Sequence, residues 1–327
     1  MSDLSSPFEF APVVIHTYTR HEHLKKTIEA LLLNDLAPST DLYIASDAPR
    51  QRKDEGDVLK LREYINSIKG FKSVNIILRD KNFGLHLNAS AAFDEVYKKT
   101  DRLITIEDDT IVGRGFLRYI NEGLSLYRGD ESVFAICGYL YKSIRINSSS
   151  DVVLLPGFSA WGYGIWRDRF YGLPNYVEVA NEFLRSPKLF VKLMLNRPDL
   201  IFGVWSVASG RLVAADLAFL LDMIKKNKKC LFPKESLVRN IGNDGTGENC
   251  IVDSSYKDQQ YNQNDIVIVG SDSAAHRYPL NPFFSALGGW KILIKNLSKF
   301  FMLIIVGERL YKRLANLKNS IKRMLVN

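Results

Sequence analysis

From Pro12 to about Arg128, short apolar runs alternate with longer amphipathic segments, a pattern of βαβ units that build a mostly parallel sheet covered on both faces. The runs Val13–Thr17, Leu42–Ser46, Val74–Leu78 and Leu103–Ile106 predict strands. Between them, His23–Leu33, Val58–Ile68 and His86–Lys98 repeat apolar residues every three or four positions and predict helices. The first, second and fourth strand runs end in polar residues: Thr17-Tyr18-Thr19-Arg20, Asp47 and Glu107-Asp108-Asp109. Open α/β sheets bind ligands beyond the carboxyl ends of their strands, so these polar ends are expected to share one crevice.

The pattern changes after Phe134. A Gly- and aromatic-rich stretch from Pro156 to Trp166 precedes helical segments and a second Gly-rich loop, Asn240 to Gly247. Glycine beside large aromatics suits close backbone approach and stacking around a ligand, and it equally serves plain tight packing. Near the end, Leu310, Leu314, Leu317, Ile321 and Met324 recur at helical spacing, with Lys312, Arg313, Lys318, Lys322 and Arg323 mostly on other faces. Such a basic amphipathic helix lies on an anionic membrane surface, or packs its stripe on its own domain or on a second copy.

Composition narrows the class. The 327 residues are 46% hydrophobic and 24% charged, with a mean hydropathy of −0.09, as expected of a soluble globular chain of about two domains. The formal charge of +8 resides in the tail, since residues 291–327 carry nine basic side chains and one acid. The remaining 35 basic and 35 acidic residues balance, so nucleic-acid binding is not expected. The three cysteines, Cys137, Cys230 and Cys250, form no C-x-x-C pair, which argues against a disulfide framework or zinc knuckle and fits a reducing cytosol. The first residues lack a basic segment followed by an apolar one, and the charge-free apolar run Phe300–Gly307 is far shorter than a membrane span. A cytoplasmic protein is therefore expected, without a transmembrane segment.

Three consecutive acids at a strand end repel and raise one another's pKa. A divalent cation removes that conflict, and hard Mg²⁺ or Mn²⁺ prefers one or two carboxylates plus phosphate oxygens. In the alternative, Asp109 caps the next turn while Glu107 and Asp108 are solvated. Asp216 stands just before the apolar run Leu217–Leu221, where it is either an N-cap or a carboxylate kept ionised by a helix N-terminus. Its rival Asp222 is six residues on, about 240° around a regular helix. His21 and His23 point about 200° apart on a helix and are expected to start one rather than share an ion. His16, within the first strand run, is expected to be a satisfied core imidazole.

The order Pro12–Arg20, Ile44–Asp47, Ile104–Thr110 with Gly115-Phe116-Leu117, then Pro156-Gly157-Phe158, Gly162–Trp166, Asp216 with its helix, and Cys230–Lys234 to Gly247 resembles GT-A glycosyltransferases. Within that fold it is most similar to the N-acetylglucosaminyltransferase I group and bacterial surface-polysaccharide (family 2-like) glycosyltransferases, over roughly residues 11–250. The resemblance implies a Rossmann-like, mostly parallel sheet flanked by helices. It implies a nucleotide-sugar-binding half at 11–133 and a contiguous acceptor and catalytic half at 134–275, with the basic helical tail at 276–327 outside it. It implies that Asp109 ligates Mn²⁺ or Mg²⁺, that Glu107 and Asp108 accept bonds from ribose and sugar hydroxyls, that Arg20 approaches the diphosphate and that Asp47 meets a uracil edge. Thr17 and Tyr18 join this donor set. Asp216 takes the acceptor proton in an inverting transfer, although Ala215 stands where the group has a tryptophan. Trp161, Gly162, Asp244 and Gly245 are candidates for an acceptor surface or lid. The implied partners are a UDP-sugar and a glycan acceptor, lipid-linked at the inner face of the membrane. Two other classes remain open: a membrane-peripheral binding protein without turnover, and a sugar nucleotidyltransferase, which needs a Gly-rich loop after the first strand that Thr17–Arg20 does not supply.

Overall fold

The computed structural model describes residues 10–146, 150–212, 215–246, 259–264 and 281–307. The chain divides into two compact units, residues 1–174 with 226–278 and residues 175–225 with 279–327.

In the first unit, β1 (Val13–Thr17), α1 (His21–Leu32), β2 (Asp41–Ser46), α2 (Glu55–Ser67), β3 (Ser73–Leu78), α3 (Leu85–Tyr97) and β4 (Arg102–Glu107) follow the expected alternation. Then come β5 (Thr110–Val112), α4 (Phe116–Leu126), β6 (Val133–Cys137), β7 (Val152–Leu155), β8 (Tyr163–Trp166) and the short α5 (Arg167–Tyr171). After an excursion into the second unit the chain returns as β9 (Lys229–Pro233) and β10 (Val238–Asn240). Among the described residues, eight strands form one sheet in the order β3-β2-β1-β4-β8-β6-β9-β7, and β5 and β10 form a separate two-stranded ribbon. Pairs among β3, β2, β1 and β4 are parallel, as is β6 with β9, whereas β8 runs antiparallel to both β4 and β6. The mixed α/β architecture with a large, mostly parallel sheet matches the expected fold class.

Strand residues Val13, Ile15, Leu42, Ile44, Ile104 and Ile106 are fully buried and pack in one core with Leu24, Ile28 and Leu31 of α1, which explains why these runs read as nearly continuous apolar stretches. On the other half of the sheet, α4 lies so close that a Cβ on Gly164 would come 2.5 Å from Cγ2 of Ile120. Only glycine lets helix and strand approach to that degree. The apolar core runs on through Val133 and Ile136 of β6. Cys137 and Cys230 are buried free thiols, and Cys250 lies outside the described residues.

The second unit is helical: α6 (Tyr176–Arg185), α7 (Pro187–Asn196), α8 (Ile201–Ala208), α9 (Ala215–Lys226), α10 (Pro282–Ala286) and α11 (Gly289–Val306). Asn175 and Ser186 cap α6 and α7 by accepting N–H bonds with their side chains. Val179, Phe183, Leu193, Ile201, Val204 and Leu221 form a core of their own, joined by Leu293 and Phe300 of α11. The amphipathic pattern Leu310 to Met324 lies outside the described residues. Among those described, no helix is long and apolar enough to cross a membrane.

Candidate active site

The carboxyl ends of β1 and β4 lie side by side, with His16 registered against Glu107. One step further, the Thr17 hydroxyl donates to Asp108 Oδ2 at 2.7 Å, and Thr27 of α1 donates to the Asp108 backbone carbonyl at 2.9 Å. Asp108 is therefore drawn inward, and burial, reinforced by neighbouring Asp109, raises its carboxyl to about 7 despite Thr17 and Arg20. Asp109 is also buried. Its Oδ2 accepts from Arg20 Nη1 at 2.5 Å and its Oδ1 accepts from Asn240 Nδ2 at 2.9 Å.

Arg20 occupies the N-cap position of α1 but sends its side chain across the acids rather than capping. Its Nη1 lies 3.7 Å from Asp108 Oδ1, and its Nη2 donates to the Gly242 carbonyl at 3.2 Å and lies 3.7 Å from Asp244 Oδ1. One guanidinium thus joins the acidic strand end to the Gly-rich loop. That loop is positioned by the ribbon, in which Asn240 pairs with Thr110, and by Asn240 Oδ1, which accepts the Gly242 N–H at 2.8 Å. A Cβ on Gly242 would fall 1.9 Å from Asp109 Oδ2, so the loop's backbone closes directly on the carboxylate.

Asp244 pairs with His23 Nε2 at 3.1 Å. Burial works to raise its carboxyl, but the Thr246 hydroxyl and N–H, His23 and Arg20 together hold it down to about 2. His23 itself is lowered by burial and by Arg20 against the pull of Asp244. Helix α1 begins at His21, as expected, and His21 and His23 share no ion: His21 meets Glu22 while His23 meets the loop. Gly245 adopts the left-handed backbone region. Trp161 is half-buried and stacks edge-on against Tyr139, ring centroids 4.6 Å apart, while Gly162 is held by the bond from Gly138 N–H to its carbonyl at 2.7 Å.

Asp47 is buried and accepts three backbone N–H groups, from Ala48 at 2.9 Å, Phe83 at 2.8 Å and Gly84 at 2.8 Å. It fixes the turn between β3 and α3, aided by Asn82 Nδ2 donating to the Ala48 carbonyl at 2.7 Å, and a nucleobase edge has to compete with those bonds for its oxygens. Tyr18 likewise spends its hydroxyl on Asp54 Oδ2 and the Arg50 N–H, each at 2.7 Å. His16 departs from expectation: among the described residues its buried Nδ1 has no hydrogen-bond partner, and burial, with His86 adding, lowers it to about 4. Asn240, His23 and the Asn82–Gly84 turn are the parts that sequence reasoning missed. Asn240 opens a loop marked by its glycines, but nothing local indicated that it reaches Asp109. Asp216 falls in the first turn of α9, and its side chain lies outside the described residues. Asp222, on the same helix, is buried.

A divalent cation fits the donor set. The groups presented are hard carboxylate oxygens; burial is the main cause that raises Asp108, and the added repulsion from Asp109 is of the kind a cation relieves. Among the described residues no group of three or more His, Cys, Asp or Glu is disposed to hold a metal ion. A site of this kind depends on phosphate and water oxygens for most of its ligands, the usual habit of Mg²⁺.

No family model and no curated protein matches the chain. Among solved structures it is similar to S. aureus TarS, at 10% identity and a TM-score of 0.31 over 46% of this chain and 25% of that one. It is also similar to the mannosyltransferase PcManGT from Pyrobaculum calidifontis in complex with GDP-Man and Mn²⁺, at 13% identity and a TM-score of 0.38 over 68% and 84%. The chain thus spans a quarter of the length of TarS. Its own architecture, a mostly parallel sheet flanked by helices with acids at the carboxyl end of β4, is consistent with a GT-A glycosyltransferase fold.

Proposed function

We propose that the chain is a metal-dependent, inverting glycosyltransferase that moves a sugar from a UDP-sugar to a glycan acceptor, lipid-linked and presented at the inner face of the membrane. The observation that carries this reading is the convergence of Asp108, Asp109, Arg20 and the Gly242 backbone at the carboxyl ends of β1 and β4. It unites an acidic metal-binding edge with a guanidinium suited to phosphate oxygens, as a nucleoside diphosphate with its cation requires.

In this reading Asp109 holds Mn²⁺ or Mg²⁺, whose chemistry is Lewis-acid stabilisation of charge on the departing diphosphate. Arg20 swings from Asp109 to the diphosphate, and Asp108 and Glu107 orient the donor by accepting from its hydroxyls. Asp47 acts as a positioning residue, keeping the Asn82–Gly84 turn at the crevice. Asp244 and Gly245 close over the donor and exclude water. Asp216 accepts the acceptor hydroxyl's proton while that oxygen bonds to the anomeric carbon. The bond from that carbon to the phosphate oxygen breaks, and UDP leaves with the electron pair.

Calorimetric titration of UDP with Mn²⁺ and with chelator, repeated on Asp109→Ala, tests the donor site. The expected result is metal-dependent binding that weakens by at least about tenfold in the variant. Indifference of the wild-type protein to UDP and other nucleoside diphosphates overturns the reading, and binding without sugar transfer to any glycan or lipid-linked acceptor favours the binding protein instead.

A further inference from the structure

Among the described residues, helix α11 is fixed to the second unit by one face. Leu293 and Phe300 enter its core, Asn296 Nδ2 donates to the Pro198 carbonyl at 3.0 Å, and Phe300 packs against Phe190 with ring centroids 5.8 Å apart. These contacts set which side chains point outward. At about 100° per residue, Trp290, Ile294, Phe301 and Ile305 fall within roughly 60° of arc beside that buried face. They are 56%, 66%, 53% and 80% exposed, respectively. Burying large apolar side chains stabilises a fold, so a contiguous band of four left exposed along one helix marks an interaction surface.

The adjoining arc decides what covers the band. Lys291, Lys295 and Lys299, four residues apart and exposed, form a row along its edge, and α11 contains no acid. A second copy applied through this face brings like charge to like charge, and so does the chain's own basic segment beyond residue 307. An anionic lipid surface satisfies both arcs at once: the apolar band enters the acyl boundary while the lysines extend to headgroup phosphates. Trp290 at one end of the band is the residue type that settles at that boundary.

We propose that this outward face of α11 is an interfacial docking surface for an anionic bilayer, with the helix lying parallel to the membrane and the second unit held against it. The proposal deepens the membrane part of the function proposed above, moving it onto α11, and is independent of the nucleotide part.

The test is co-sedimentation of the full-length chain with phosphatidylcholine vesicles and with vesicles containing phosphatidylglycerol. It compares wild type, Ile294→Ser/Phe301→Ser, Lys291→Glu/Lys295→Glu/Lys299→Glu, and Lys318→Glu/Lys322→Glu in the tail. Binding only to the anionic vesicles is expected, reduced at least about tenfold by each α11 variant with unchanged circular dichroism and unchanged UDP binding. The proposal fails if the α11 variants bind as wild type while the tail variant does not, if no vesicle is bound, or if the serine variant turns a wild-type dimer into a monomer. UDP binding in the same preparations separates failure of this surface from failure of the donor site.

Discussion

Arg20 Nη1 lies 2.5 Å from Asp109 Oδ2, so the protein's own cation stands where a metal ion has to approach that carboxylate. Replacing Arg20 by Met is expected to have opposite effects on two ligands. Mn²⁺ alone should bind about tenfold more tightly, because no guanidinium competes, while UDP with Mn²⁺ should bind at least about tenfold more weakly for want of a phosphate partner. Electron paramagnetic resonance of free Mn²⁺, with and without UDP, reads both.

Gly242 has no room for a side chain, since its Cβ would sit 1.9 Å from Asp109 Oδ2. Gly242→Ala should push the loop or the carboxylate aside and weaken metal-dependent UDP binding by at least about tenfold, with an unfolding free energy lowered by roughly 1–3 kcal/mol. An alanine variant that bound UDP normally would show that the loop opens whenever the donor enters.

Asp47 gathers three N–H bonds on one buried carboxylate. Asp47→Ala leaves those donors unpaired and is expected to destabilise the first unit by roughly 2–4 kcal/mol in urea unfolding. Hydrogen exchange should accelerate at Phe83 and Gly84 before it does in β2.

His16 gives the chain an acid-sensitive point. Its folded pKa, lowered to about 4 by burial and by His86, lies below the ordinary imidazole value of 6.5, so the unfolded chain binds the proton more readily. Stability is complete above about pH 6.5 and falls as the pH drops toward 4, by up to roughly 3 kcal/mol over that window. Unfolding of His16→Gln alongside wild type at several pH values checks this: the difference between the two should shrink as the pH falls.

The parallel half of the sheet was legible because β1 to β4 are each buried locally and announced by their own apolar runs, with helices of clear period between them. Arg102 and Glu107 were missed at the ends of β4 because charged residues there look like loop, although they pair in the sheet with Trp166 and His16. Strands β6 to β9 were not read, since four- and five-residue runs such as Val152–Leu155 carry no period that separates strand from buried helix. The acids and Arg20 stood out as polar ends of apolar strands. Their partners did not: Asn240 and Asp244 come from a segment more than 130 residues away, and a pairing across that distance leaves no local trace. Asp47 reads from sequence as a ligand contact, and the three backbone N–H groups it accepts leave no local signal beside that role.

The ribbon of β5 and β10 has a consequence for the order of events in folding. Asp109 and Asn240 are separated by the whole of α6 to α9, so a ribosome releases the acidic strand end long before the residue that braces it. Until the distant strand arrives, Asp108 already has Thr17, whereas Asp109 has Arg20 and solvent in place of Asn240. This single long-range closure places completion of the crevice late in synthesis, after most of the sheet is available to receive it. Residues 175–225 stand in the chain as an insertion between the two segments of the first unit. The flanking segments alone supply Asp109 and the groups that brace it, so the length of that insertion sets how long the carboxylate waits for Asn240.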